Sequence, residues 1–178
     1  LTSQGLLQAR SIAESLASEG ILTIYSSPRR RALRTAQVIA ERLGLTPIVM
    51  DGLAEADFGE WEGLTFREVS RRDPGLLERW LADPIHTRPP GGENLAEMWE
   101  RVRRCLDEVV LALQVRGVAG PGSLAAAGGG AIALVSHGGP IRAVLSFHRQ
   151  GDLSAFRDVL VRPGEVRLSA SARANWLL

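Results

Sequence analysis

Apolar residues along this chain follow two rhythms in turn, and their alternation predicts a layered fold. Leu6, Leu7, Ile12, Ala13 and Leu16 recur at helical spacing behind Thr2-Ser3, a pair suited to capping a helix, and Gly20 ends the stretch. Ile21 to Tyr25 is a short apolar run that reads as a strand. After Ser26-Ser27-Pro28 a second helical face carries Leu33, Ala36, Ala40 and Leu43, closed by Gly44. Pro47 to Met50 reads as another brief strand, and Asp51 to Gly63 as an acidic, glycine-containing loop. Thr65 to Leu81 has helical spacing with a break near Asp73-Pro74-Gly75, and the proline-rich stretch Asp83 to Gly92 is a loop. A long helix is predicted from about Leu95 to Val115. Between Gly117 and Gly130 the residues are those of a flexible surface connection. Ala131 to Val135 is the most apolar strand candidate, and Ser136 to Pro140 leads from it into a helix ending near His148. Val159 to Val161 and Glu165 to Ser169 read as late strands around a turn at Pro163-Gly164.

Short, fully apolar strands between amphipathic helices are the pattern of a mostly parallel sheet with both faces covered. The expected architecture is therefore an α/β three-layer sandwich, formed as one domain over residues 1–178. Ligands in such folds bind beyond the carboxyl ends of the strands, where helix N-termini converge. Two strand-to-helix junctions are conspicuously polar, Ser26 to Arg31 and Ser136 to Arg142, and both are expected on the same edge of the sheet.

Composition narrows the chemistry. A net charge of +1 gives no global attraction to nucleic acid or to a membrane surface. All 21 basic residues are arginine, which excludes a phosphate-loop lysine and Schiff-base chemistry. Cys105 is the single cysteine and falls in the apolar stripe of the long helix, so it reads as a core thiol in a cytoplasmic protein. No apolar run approaches the length that spans a bilayer. Gly128 to Ala133 formally fits a dinucleotide-binding pattern, but it precedes a strand instead of following one.

Three places carry candidate chemistry. Arg29, Arg30, Arg31 and Arg34 crowd the start of a helix, where positive charge opposes the helix dipole. A bound anion would compensate, and the planar fork of arginine suits phosphate; a solvated basic face is the competing reading. A nucleic-acid patch fits less well, because no aromatic residues interleave the run. His137 follows the most apolar strand directly and precedes Gly138, Gly139 and Pro140 at a helix start, where backbone N–H groups can meet an anion. Glu55, Asp57, Glu60 and Glu62 share a loop with Phe58 and Trp61, and a carboxyl group near aromatic surface can be tuned as a general acid.

The order of these pieces resembles the histidine phosphatase superfamily, the group that includes cofactor-dependent phosphoglycerate mutase. Leu1-Thr2 with Gly5, Gln8 and Ala9 is similar to that family's first helix start. Ser27-Pro28-Arg29-Arg30-Arg31-Ala32 with Thr35-Ala36 resembles its Ser-Pro-x-x-Arg-Ala-x-x-Thr-Ala segment, which implies that Arg31 is the phosphate arginine. Leu53-Ala54-Glu55 followed by Phe58-Gly59-Glu60-Trp61 resembles the proton-donor segment and puts Glu55 in that place. Pro90-Gly91-Gly92-Glu93-Asn94 resembles a Gly-Gly-Glu-Ser stretch, with Asn94 where serine is usual, and Ser136-His137-Gly138-Gly139 resembles the second histidine motif.

The resemblance implies a metal-independent, cofactor-free phosphomonoesterase that works through a phosphohistidine on a small phosphorylated metabolite. α-Ribazole phosphatase and broad-specificity phosphatases are the nearest in style. Glu55 and His137 would be catalytic, and Arg31 and Gly138 would bind phosphate. A mutase and a non-catalytic phosphate-binding module of the same fold are the alternatives. The implied partner is a small phosphate ester, with neither nucleic acid nor membrane, and a homodimer is left open. The family's nucleophile is a histidine in an Arg-His-Gly motif after the first central strand, and no Arg-His-Gly occurs in this chain. That strand and its histidine are expected upstream of Leu1.

Overall fold

The computed structural model describes residues 1–117, 130–166, 168–171 and 174–177. Helix α1 (Ser3–Leu16) starts where Thr2 Oγ1 accepts the Gly5 N–H at 3.1 Å. Strand β1 (Ile21–Ser26) leads into α2 (Arg30–Leu43), which Gly44 ends at φ 68°, a left-handed turn that suits glycine. After β2 (Ile48–Val49) the acidic loop tightens into two 3₁₀ turns, Asp51–Leu53 and Gly59–Trp61. The expected helix break falls at Asp73, between α3 (Phe66–Arg72) and α4 (Pro74–Ala82). Helix α5 (Leu95–Val115) has the predicted bounds. Asn94 caps it in a reciprocal box with Glu97, both bonds at 2.9 Å, so asparagine does the work that serine would do at this position. Strand β3 (Ala131–Val135) runs into α6 (Gly138–Gln150), and β4 (Leu168–Ser171) and β5 (Ala174–Leu177) complete the sheet.

The strand order is β2-β1-β3-β5-β4, parallel except for β4 against β5. Side chains alternate across the sheet and supply two cores. Ile24 and Ala133 face α1 and α2, where Ala13, Leu16, Ala36 and Ile39 are buried. Tyr25, Ile132 and Leu134 face the other way, onto Met98, Val102 and Leu113 of α5 and Ile141 and Val144 of α6. This is the three-layer α/β arrangement. Each fully buried aliphatic side chain contributes about 1.5–3 kcal/mol, so the two faces together fix how the strands sit under their helices. Cys105 is buried in the second core, as its stripe predicts, and burial pushes its thiol up to about 11.

A third, smaller cluster stands apart: Trp61, Val69 and Leu77, flanked by Phe58 and Trp80. Trp61 donates its indole N–H to Asp73 Oδ2 at 2.9 Å, which ties the 3₁₀ turn to the break between α3 and α4.

Two expectations change. Val159–Val161 is not a strand: the Val159 N–H donates to the Ala155 carbonyl of a 3₁₀ turn over Ser154–Arg157, and Val161 lines a cavity wall instead of joining a ladder. The late strand expected from Glu165 begins at Leu168 among the described residues. Most of the connection between Gly117 and Gly130, and with it the start of the dinucleotide-like glycine run, lies outside the described residues.

Candidate active site

The carboxyl ends of β1 and β3 lie side by side, with the Ser27 N–H donating to the Val135 carbonyl at 2.9 Å. Parallel pairing therefore brings the two polar junctions together at one edge of the sheet. Ser27 is fully buried; its Oγ accepts the Arg29 N–H at 3.2 Å and shares a hydrogen bond of 2.7 Å with His137 Nε2. His137 is only 6% exposed. Burial chiefly, then Arg31, Arg29 and Arg101, push its pKa down to about 4, because each disfavours a charged ring. The imidazole is thus neutral at pH 7.

Glu55 reaches the same place from the loop after β2. Its Oε1 accepts two backbone N–H groups, from Ala56 and from Gly139 in the first turn of α6, each at 3.0 Å. Oε2 makes no hydrogen bond among the described residues and is the oxygen left for a ligand. A Cβ on Gly139 would stand 2.4 Å from Oε1, so this approach requires glycine. Gly138, the first residue of α6, has open space around it, and its N–H has no partner among the described residues. Ser136 fastens the loop from the other side, its hydroxyl donating to the Leu53 carbonyl at 2.7 Å.

Arg31, Glu55, His137 and Gly138 all line one cavity of about 420 Å³. It runs from the sheet edge along β3, between α1 and residues 161–166. Other candidates are used elsewhere. Asp57 accepts the Gly59 N–H, Glu62 accepts the Phe58 N–H, and Glu60 pairs with Arg72. His86 pairs with Asp83, and neither His86 nor His148 lines the cavity. Arg29, Arg30 and Arg31 form no ion pair with a carboxylate among the described residues. No group of three or more His, Cys, Asp or Glu could hold a metal ion among the described residues, and no described helix is long and apolar enough to cross a membrane.

Sequence reasoning missed Ser27 as the partner of His137, and it treated Gly139 as an anion donor although its N–H serves Glu55. It also missed Arg101. That side chain leaves α5 and binds the carbonyls of Gly52 and Ala54 at 2.8 and 3.1 Å, alongside the carboxylate of Glu93. The available signal was an arginine beside the buried stripe Met98, Val102 and Cys105, where a solvated charge is out of place.

Several of the proteins to which this chain is similar carry phosphatase names. Bifunctional protein Rv2228c of Mycobacterium tuberculosis is 41% identical over 126 residues, 71% of this chain and 30% of that protein. Phosphoserine phosphatase 1 of Hydrogenobacter thermophilus is 38% identical over 109 residues, 61% of this chain and 52% of that protein. The chain thus spans 30% and 52% of the length of these two relatives. Mycobacterial glucosyl-3-phosphoglycerate phosphatase, solved with inorganic phosphate, superposes with a TM-score of 0.75 at 31% identity, covering 90% of this chain and 74% of that one. The α-ribazole phosphatase of Shigella flexneri shares the fold, with a TM-score of 0.81 at 21% identity over 100% of this chain and 82% of that one. The sequence profile of the histidine phosphatase superfamily (branch 1) matches residues 1–177, and the chain belongs to that superfamily.

Proposed function

We propose that this chain is part of a phosphomonoesterase that acts on a small phosphorylated metabolite through a phosphohistidine, without a metal ion. The observation that carries the reading is the meeting of Arg31, Glu55, His137 and Gly138 at one end of one cavity. A histidine supplied from upstream of Leu1 attacks phosphorus, and the ester P–O bond breaks as the N–P bond forms. Glu55 gives the departing oxygen its proton from Oε2, while Arg31 and the free N–H of Gly138 hold the equatorial oxygens. Water then attacks phosphorus while Glu55 takes its proton, and the N–P bond breaks as the new P–O bond forms, releasing inorganic phosphate and the free histidine.

His137 enters this step neutral. A phosphate dianion in the cavity offsets the arginines that hold the ring uncharged, so binding draws a proton onto His137 and the imidazolium then neutralises the developing charge.

The cavity itself supports an upstream strand. It is far larger than one phosphate requires, and beyond the polar end it is walled by Ile12, Leu16, Ile39 and Ala133. On this side of β3, Ile132 and Ala133 are registered with Trp176 and Leu177 of β5.

Relatives named for phosphoserine and glucosyl-3-phosphoglycerate favour esters that carry a second negative group. The short span between Glu55 and Glu93 favours hydrolysis over mutase transfer. The lone buried thiol agrees with a cytoplasmic setting. The test is hydrolysis of p-nitrophenyl phosphate, phosphoserine and phosphoglycerate esters by the chain joined to its upstream segment. Activity lost in His137→Ala and Glu55→Gln supports the reading. Rates unchanged by either substitution would overturn the site assignment, and an inert protein that still binds phosphate esters would be a binding module.

A further inference from the structure

We propose that Arg101 and Glu93 are positioning residues for Glu55, an ion pair that grips the segment 52–57 from α5 and aims the carboxyl group into the cavity. The proposal rests on the reading of Glu55 as the general acid.

The loop that carries Glu55 has little regular structure of its own, yet a general acid must be held to within a fraction of an ångström of the oxygen it protonates. The holding groups come from elsewhere in the chain. Arg101 Nη1 donates to the carbonyls of Gly52 at 2.8 Å and Ala54 at 3.1 Å, and Nη2 to the carbonyl of Glu55 itself at 3.4 Å. Nη2 and Nε also bind the two carboxylate oxygens of Glu93, at 2.5 and 3.3 Å. Glu93 in turn accepts the Asp57 N–H at 3.0 Å, and its own N–H donates to the Asp57 carbonyl at 2.9 Å. The pair therefore brackets Glu55, with Arg101 on the preceding backbone and Glu93 on the following one.

Packing closes the same bracket. A Cβ on Gly52 would meet Cys105 Cβ at 2.3 Å, and one on Gly92 would meet the Asp57 carbonyl at 2.4 Å, so glycine lets the loop lie flush against α5 and the 89–94 segment. With the backbone fixed from α5 and Oε1 fixed by Gly139, Oε2 is the remaining degree of freedom. The side chains of Arg101 and Glu93 are 26% and 17% exposed, so water competes weakly for them. Lysine offers one compact charge in place of the planar fork and cannot serve three carbonyls and a carboxylate at once.

The experiment compares two esters in the chain joined to its upstream segment. An alkyl phosphate needs its leaving oxygen protonated, whereas p-nitrophenolate leaves readily without a proton. Arg101→Lys and Glu93→Gln are expected to lower kcat/KM, which reads the steps up to departure of the leaving group and not the later attack of water, about 10-fold or more on the alkyl ester and less than about 3-fold on p-nitrophenyl phosphate. Neither substitution should slow the alkyl ester further in a Glu55→Gln background. Equal losses on both esters, or losses that multiply with Glu55→Gln, would show a merely structural pair and overturn the proposal. If Arg101→Lys fails to fold, Glu93→Gln gives the same reading, because glutamine keeps the Asp57 contact and removes the charge. A Glu55→Gln variant that hydrolyses the alkyl ester normally would instead remove the general acid, and the clamp with it. That result is distinct from a slow Glu55→Gln beside a normal Arg101→Lys, which removes the clamp alone.

Discussion

Glu55 Oε1 and the Gly139 N–H are 3.0 Å apart, and this bond joins the loop after β2 to the first turn of α6 across 84 residues of sequence. The helix start thereby holds the carboxyl group on one oxygen and leaves the other turned to the cavity.

Gly139→Ala tests that contact directly. The added methyl would lie 2.4 Å from Oε1 and 3.1 Å from Met98 Sδ, so the carboxyl group must move. We expect kcat on alkyl phosphates to fall about 10- to 100-fold, at a stability cost of about 1–3 kcal/mol from overpacking. Steady-state kinetics and thermal melts read the two effects separately.

His137 should titrate near pH 4 in the free protein and higher when phosphate is bound. Imidazole chemical shifts followed across pH, with and without inorganic phosphate, check this. The sign for stability follows from a folded pKa below the unfolded value of about 6.5. Between those values the unfolded chain binds the extra proton, so this contribution is complete above pH 6.5 and is lost as pH falls toward 4. Replacing the ring by His137→Gln should flatten that part of the dependence, seen as a smaller drop in Tm between pH 6.5 and 4.5.

Arg31→Ala should weaken inorganic phosphate as a competitive inhibitor by about 10- to 100-fold, the worth of one or more charge-assisted hydrogen bonds. Arg31→Lys should recover only part of that loss. Inhibition constants at fixed ionic strength would show it, and an unchanged constant in Arg31→Ala would take Arg31 out of the phosphate site.

Cys105 should be inert in the native protein, because burial holds its thiol near 11 and away from solvent. A thiol reagent at pH 8 is expected to label it only as fast as the protein unfolds. Gly52→Ala, which forces a methyl against Cys105 Cβ, should speed that labelling and lower Tm.

Much of the molecule was already legible as one-dimensional pattern. The bounds of α5 and β3, the break at Asp73, the two cores and the buried thiol follow from spacing and punctuation, since local periodicity decides which side of an element is apolar. Val159–Val161 misled because three apolar residues in a row look the same whether they join a ladder or line a wall, and only their neighbours in space tell these apart.

For the candidate site, chain order singled out Arg31, Glu55, and the adjacent pair His137 and Gly138, from three separate motifs. That these four border one cavity was decided by the parallel pairing of β1 with β3, which sets two distant helix starts side by side. The hydroxyl of Ser27 against His137, the N–H of Gly139 against Glu55, and the grip of Arg101 on three carbonyls were likewise beyond pattern. Each is a hydrogen bond between residues 46 to 110 positions apart, and its distance and direction exist only once the sheet and its helices have packed.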